Sequence, residues 1–233
     1  MKISVVKNIL EANQRIAEEN RQRFSDGRVL VINLMSSPGA GKTSLLERTI
    51  RALKDEFRVG VVEGDIQSTY DAERISQTGA PVVQINTGGA CHLDSNMIQE
   101  ALKGLDIANL DLLFIENVGN LVCPAEFNLG EDFKAMILSV AEGDDKPLKY
   151  PLMFHESRVL LVNKIDLLPF CDCNPDLMEE RALKINPRLT LFRVSCRTGE
   201  GLGRWTEWLG EQIQLRQGGQ SPSSAGLTEQ GNK

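Results

Sequence analysis

The sequence predicts a three-layer α/β fold, a mainly parallel sheet covered by helices on both faces. Short apolar runs rich in β-branched residues recur along the chain, with helical patterns between several of them, the alternation that βαβ units produce. The runs are continuously apolar rather than alternating, as strands buried on both faces are. Apolar residues make up 41% of 233 positions, enough for a core that needs no disulfides.

Residues 3–24 carry helical spacing, with Val6, Ile9, Leu10, Ile16 and Ala17 near one face, and Gly27 ends the element. VLVINLM (29–35) reads as the first buried strand and 43–53 as the helix after it. The strand signature repeats at 59–65, 81–85, 110–117, 133–140, 158–164 and 189–195. Helical patterns fall at 68–78, 93–104, 176–185 and 202–215. The expected organisation is an N-terminal helix (1–27) packed on one main domain (28–217). The Gly/Ser/Gln-rich tail 218–233 is expected to be disordered.

The formal charge is −6 and the pI about 5.1, which argues against a general nucleic-acid binder with its basic face. No apolar run approaches the ~20 residues of a membrane span, and the first residues lack the apolar core of a signal peptide. These features predict a cytoplasmic protein without membrane or nucleic-acid partners. The cysteines, Cys91, Cys123, Cys171, Cys173 and Cys196, are odd in number and read as thiols or metal ligands.

The first strand runs into Ser36-Ser37-Pro38-Gly39-Ala40-Gly41-Lys42-Thr43 and then a helix, the P-loop pattern with Ser36 at the usual first glycine. Pro38, Gly39, Ala40, Gly41, Lys42, Thr43 and Ser44 form the expected phosphate cradle. Its glycines let backbone N–H groups close on phosphate oxygens, and the helix N-terminus adds positive charge. Lys42 reaches the β- and γ-phosphates and Thr43 ligates Mg²⁺.

Glu63-Gly64-Asp65 ends the second strand and Glu116-Asn117-Val118-Gly119 the fourth, at the sheet edge where open α/β folds bind ligands. Asp65 is expected to hold Mg²⁺ or position the attacking water. Glu116 resembles the acid of the DxxG element of GTPases. Taken singly, Glu63 and Asp65 also suit helix capping. Lys42, Asp65 and Glu116 are the candidate catalytic residues.

Asn163-Lys164-Ile165-Asp166 is the base-selecting motif of GTPases, and Ser195-Cys196-Arg197 closes the last strand as a second base-contacting loop. Asp166 can accept two hydrogen bonds from the guanine edge, a donor pair that adenine lacks. Asn163 can tie this loop to the P-loop, and the Lys164 stem can cover the base. The motifs together favour GTP and GDP, and argue against an ATP-dependent P-loop kinase.

Cys91-His92 lies in a Gly-rich loop and Cys123 follows the fourth strand. Two thiolates and an imidazole suit Ni²⁺, Zn²⁺ or Cu⁺ better than Mg²⁺. They are one ligand short of a closed tetrahedral site, a shortfall that a two-fold dimer can make good. Cys171 and Cys173 form a Cys-x-Cys that reads equally as an auxiliary site or as incidental thiols. His155 reads as structural.

The run of SSPGAGKT, EGD, NTGGACHLD, ENVGNLVCPAEFNLGE, EGDDKPLKYP, NKIDLLP and SCRTGEG resembles the HypB family of nickel-inserting GTPases, relatives of UreG, over roughly residues 1–215. The resemblance implies a SIMIBI-class P-loop NTPase that hydrolyses GTP and dimerises when GTP binds. It implies Ni²⁺ or Zn²⁺ on Cys91, His92 and Cys123. The partners implied are the accessory protein HypA, the [NiFe]-hydrogenase large subunit and the chaperone SlyD. These residues carry no His-rich stretch and no N-terminal Cys-x-x-Cys-Gly-Cys, so nickel is expected to rest on the G domain. Asn120 stands where Ras-type enzymes place a water-orienting Gln, which predicts slow intrinsic hydrolysis. Lys149 is a candidate cross-subunit phosphate contact or a solvated lysine. A competing reading is a GTP-regulated scaffold that delivers no metal.

Overall fold

The computed structural model describes residues 2–65 and 69–218, with side chains from residue 9 onward. Its centre is a seven-stranded, wholly parallel sheet of order β3-β2-β4-β1-β5-β6-β7. The strands are β1 (Leu30–Ser36), β2 (Val59–Asp65), β3 (Val82–Asn86), β4 (Leu112–Glu116), β5 (Phe133–Ser139), β6 (Ser157–Asn163) and β7 (Thr190–Arg193). Every residue of β1, β4 and β5 is buried, the burial that continuous apolar runs require. The expected α/β class and parallel sheet are observed.

Nine α-helices are described: α1 (Lys2–Asp26), α2 (Lys42–Leu53), α3 (Tyr70–Ser76), α4 (Ser95–Ala101), α5 (Cys123–Glu126), α6 (Lys146–Lys149), α7 (Pro151–Glu156), α8 (Pro175–Ile185) and α9 (Leu202–Gln217). On one face of the sheet, Leu45, Leu46 and Ile50 of α2, Ile75 of α3 and Trp205, Leu209 and Ile213 of α9 pack on Ile32, Phe114, Ile137 and Leu161. The other face has two parts. Phe24 of α1 and Ile98 and Ala101 of α4 cover Val31, Val62, Leu113 and Ile115. Ala125 of α5, Met153 and Phe154 of α7 and Met178 of α8 cover Met35, Met136 and Leu160. Trp205 also donates from Nε1 to Thr49 Oγ1 at 3.0 Å, satisfying its one polar atom inside the core.

The structure corrects several details. α1 docks through only part of the expected apolar face: Ala17 is buried and Leu10 and Ile16 are half-buried, but Ile9 is 54% exposed, and Asn13, Asn20 and Phe24 complete the buried stripe. Hydrophobic periodicity passes over the two asparagines, which dock by hydrogen bonds instead. Asn13 donates to Asn128 O (2.8 Å) and accepts from Ser95 N (2.8 Å), and Asn20 donates to Ser95 O (2.9 Å) and Leu129 O (3.2 Å). Val6 lies outside the described side chains. The pattern over 93–104 splits into α4 and a 3₁₀ turn, Leu102–Gly104. The helices α5, α6 and α7 are absent from the sequence reading, although each has a proline in its first turn. Residues 66–68, at the start of the pattern over 68–78, and the tail from 219 on lie outside the described residues.

Candidate nucleotide and metal sites

β1 lies between β4 and β5, and the chain leaves it for β2 on one side and reaches β5 on the other. Such a reversal opens a crevice at the carboxyl ends of the strands. Residues 36–43 lie in it. Gly41, with φ 103°, precedes α2, and a Cβ there would stand 2.5 Å from Asn163 Nδ2, so a side chain is excluded by conformation and by space. Lys42 Nζ donates to Ser36 Oγ at 3.0 Å, and Ser37 Oγ bonds Glu142. Ser44 Oγ accepts from Arg74 at 3.2 Å, which ties α3 to α2.

The acidic strand ends meet beside this loop. Glu63 and Glu116 are opposite one another in the parallel register of β2 and β4, and both are buried. Glu116 Oε1 accepts from Thr43 Oγ1 at 2.9 Å. Burial pushes the Glu116 carboxyl up to about 7, held back by Lys42 and by the Thr43 bond. Burial first, and then repulsion by Glu116 and Asp65, push Glu63 up to about 8. Each carboxyl keeps a buried Oε2 with no hydrogen-bond partner. An unsatisfied Glu116 oxygen beside its Thr43 bond, with the unsatisfied Glu63 oxygen on the neighbouring strand end, is what a hard divalent cation requires of its donors, so the residues present fit Mg²⁺. Asp65 ends β2 opposite Asn86. Glu63 is the member of this group that sequence reasoning left as a cap, and the β2–β4 register is what gives it a place in the site. Gly119 passes so close that a Cβ would be 3.0 Å from Pro38 Cα.

On the other side of the P-loop, Asn163 Nδ2 donates to Ala40 O at 2.9 Å, and its Oδ1 accepts from Lys164 N (2.7 Å) and Cys196 N (3.4 Å). Lys164, at φ 62°, reaches Gly39 O with Nζ at 2.7 Å. Asp166 Oδ1 accepts from Ser195 Oγ at 2.6 Å, and Arg197 Nη1 is 3.7 Å from its other oxygen. Arg48 of α2 donates to the carbonyls of Cys196 (2.9 Å) and Arg197 (3.2 Å), a brace the motifs do not advertise. Burial pushes the Cys196 thiol up to about 11, so it stays neutral.

Ligand atoms of Cys91, His92 and Cys123 all lie within 4.8 Å of one another. Cys91 Sγ is 3.0 Å from Cys123 Sγ and 3.5 Å from His92 Nδ1. The hydrogen bond to Cys123 holds the Cys91 thiol above its ordinary range, and slight burial adds to it. Burial lowers His92, which keeps the imidazole neutral and able to ligate, and its ring packs on Phe127 at 3.9 Å between centroids. Asn120 joins the two loops, donating to Cys91 O at 3.2 Å and accepting from Val122 N at 3.0 Å.

Among the described residues, no metal-ligating cluster includes Cys171 or Cys173. Both pack instead against the cluster under α7 and α8. Lys149 is an exposed lysine 2.5 Å from Asp145. His155 is exposed beside Glu156, contrary to a structural role. No described helix is long and apolar enough to cross a membrane.

A family profile described as the CobW/HypB/UreG nucleotide-binding domain matches residues 30–193. The hydrogenase maturation factor HypB of Azotobacter vinelandii is 53% identical over 210 residues, 90% of this chain and 69% of that protein. The solved structure of HypB from Archaeoglobus fulgidus matches with a TM-score of 0.82 at 38% identity, over 88% of this chain and 100% of that one. HypB from Helicobacter pylori, solved in complex with nickel, matches with a TM-score of 0.83 at 39% identity, over 87% of this chain and 95% of that one.

Proposed function

The chain belongs to the CobW/HypB/UreG family and groups with its hydrogenase maturation factors, and on that premise we propose that it is a GTP-hydrolysing nickel metallochaperone for [NiFe]-hydrogenase. The observation that carries this reading is the trio Cys91, His92 and Cys123. The loop supplying Cys123 begins at Glu116, the residue bonded to Thr43 of the nucleotide site. Nickel is the cargo, and Zn²⁺ competes for the same donors.

In this reading the P-loop backbone and Lys42 bind the phosphates, and Asp166 with Ser195 selects guanine. Thr43, Asp65 and Glu116, with Glu63, would hold Mg²⁺, which supplies charge neutralisation at the phosphates. Asp65 positions the attacking water. Asn120 is engaged by Cys91 O and Val122 N, which supports slow intrinsic hydrolysis. GTP favours a homodimer, with Lys149 as the cross-subunit phosphate contact once it leaves Asp145. HypA, the hydrogenase large subunit and SlyD are the proposed partners, and the cytoplasm the proposed compartment.

The test is a Ni²⁺ titration of the purified chain with GDP and with a non-hydrolysable GTP analogue, with Zn²⁺ as competitor. Gated carriage predicts a different affinity or stoichiometry in the two states. Identical binding in both, or none, leaves a GTP-regulated scaffold whose metal is carried by a partner.

A further inference from the structure

The acid-bearing strand ends and the Cys-His loop converge on one residue, Leu93. We infer that the junction of Leu93 with Gly64 and Asn117 transmits the state of the nucleotide site to the nickel ligands. Leu93 and Asn117 are its positioning residues. The inference rests on the gated-carrier reading and assigns the gating to particular contacts.

Leu93 directly follows His92 and is fully buried. Its backbone N–H donates to Asn117 Oδ1 at 3.1 Å. Asn117 is itself buried and follows Glu116, whose carboxylate accepts from Thr43. The Leu93 side chain lies on Gly64, between Glu63 and Asp65. A Cβ at Gly64 would stand 2.7 Å from Leu93 Cδ1 and 2.8 Å from Cγ, so the strand end and the loop are in contact with no slack. The residue after the imidazole ligand is therefore wedged against both acidic strand ends.

The same asparagine reaches the other ligand loop. Asn117 Nδ2 donates to Asn33 Oδ1 at 3.1 Å, and Asn33 Nδ2 to Glu131 Oε1 at 3.2 Å. Lys134 Nζ lies 3.9 Å from that carboxylate and donates to Ala125 O at 2.7 Å, two residues beyond Cys123. Asn33, Asn117, Glu131 and Lys134 are all buried. Buried polar groups this costly to strand form a continuous path from Glu116 to both halves of the cargo site. Interiors packed at this density pass on a displacement rather than absorb it. A change in what Thr43 and Glu116 bond to therefore moves Leu93 and Ala125 with them.

The experiment measures the Ni²⁺ dissociation constant from the thiolate-to-nickel charge-transfer absorbance of the full chain, with GDP and with the GTP analogue. Unmodified protein, Asn117→Ala, Leu93→Ala, Gly64→Ala and the double variant Gly64→Ala/Leu93→Ala are compared. Melting curves and fluorescent-GDP binding serve as the folding check. The unmodified chain is expected to show a ratio between states in the usual range for coupled sites, roughly 5- to 150-fold. Asn117→Ala and Leu93→Ala should bring that ratio to within about threefold of one while still binding GDP and nickel. Gly64→Ala forces the loop away and should disturb the nickel spectrum, and the double variant, in which Leu93→Ala removes the Cγ, Cδ1 and Cδ2 that the new methyl would meet, should restore it. An unmodified ratio that persists in both Asn117→Ala and Leu93→Ala overturns the junction but leaves gated carriage standing. A ratio of one in the unmodified chain overturns gated carriage and the junction together. If Asn117→Ala does not fold, the Gly64/Leu93 pair decides the matter, and failure of the double variant to restore the spectrum counts against the junction.

Discussion

Replacing Asp166 with Asn should abolish the preference for guanine while leaving the fold intact. The Asp166 side chain is 13% exposed, with Arg197 Nη1 at 3.7 Å, and is aimed by the Ser195 hydroxyl at 2.6 Å. Asparagine has the same shape and keeps an oxygen for Ser195, so the cost falls on the ligand. A carboxylate facing the guanine N1–H and amino group accepts two charge-assisted hydrogen bonds, each worth about 1.5–3 kcal/mol. The amide turns one acceptor into a donor facing a donor. A net loss of about 3–4 kcal/mol corresponds to roughly 100- to 1,000-fold weaker GDP binding. Xanthine offers an acceptor where guanine offers its amino group, so XDP should bind the variant better than GDP does. Titrating fluorescent GDP and XDP with Mg²⁺ present reads both effects. A GDP dissociation constant within about threefold of the unmodified chain would refute the assignment of Asp166 to the base.

Four further outcomes are expected. Cys123→Ser should weaken the nickel–thiolate absorbance, leaving only the Cys91 contribution, without changing GDP binding. In the unmodified chain nickel affinity should rise as pH climbs toward and through the thiol range, because the Cys91 thiol, held above its ordinary value by its hydrogen bond with Cys123, must lose its proton to ligate; a flat profile would exclude it as a ligand. Asn20→Ala strips the donor from two buried carbonyls, Ser95 O and Leu129 O, and should cost about 2–4 kcal/mol in urea unfolding, whereas a negligible cost would mean that α1 does not depend on this contact. Asp111 is held below the usual carboxylate range chiefly by its hydrogen bond from Arg58. A depressed carboxyl stabilises the fold above its unfolded value near 4 and loses that contribution as pH falls through the folded one. Asp111→Asn should therefore lower stability at neutral pH and flatten the acid limb, and an unchanged acid limb would exclude this pair as its source.

The nucleotide site was readable because its chemistry is written in contiguous motifs. The run from Ser36 to Thr43, Asn163 to Asp166, and Ser195 to Arg197 each carry backbone geometry and side-chain chemistry in a few adjacent residues. Glu63 was not readable in the same way, since a strand-end Glu serves a cap as well as a cation, and only the pairing with Glu116 distinguishes the two. Asn13 and Asn20 break the apolar stripe of α1 and look like surface residues, yet they dock it. Lys134 and Asn33 sit within strand runs, and their roles depend on partners about a hundred residues away or across the Cys123 turn.

The α/β class, the succession of strands, the motifs at 36–43 and 163–166 and the candidate trio Cys91, His92 and Cys123 are all legible in the linear chain. Those follow from local periodicity and from short motifs whose residues act on neighbours in the chain. Only the folded chain shows that Glu63 faces Glu116, that Arg48 braces the carbonyls of Cys196 and Arg197, and that Leu93 lies on Gly64 and bonds Asn117. Each of these depends on which strands lie side by side and in what register. That is settled by burying both faces of the sheet at once, and no local stretch of sequence contains that information.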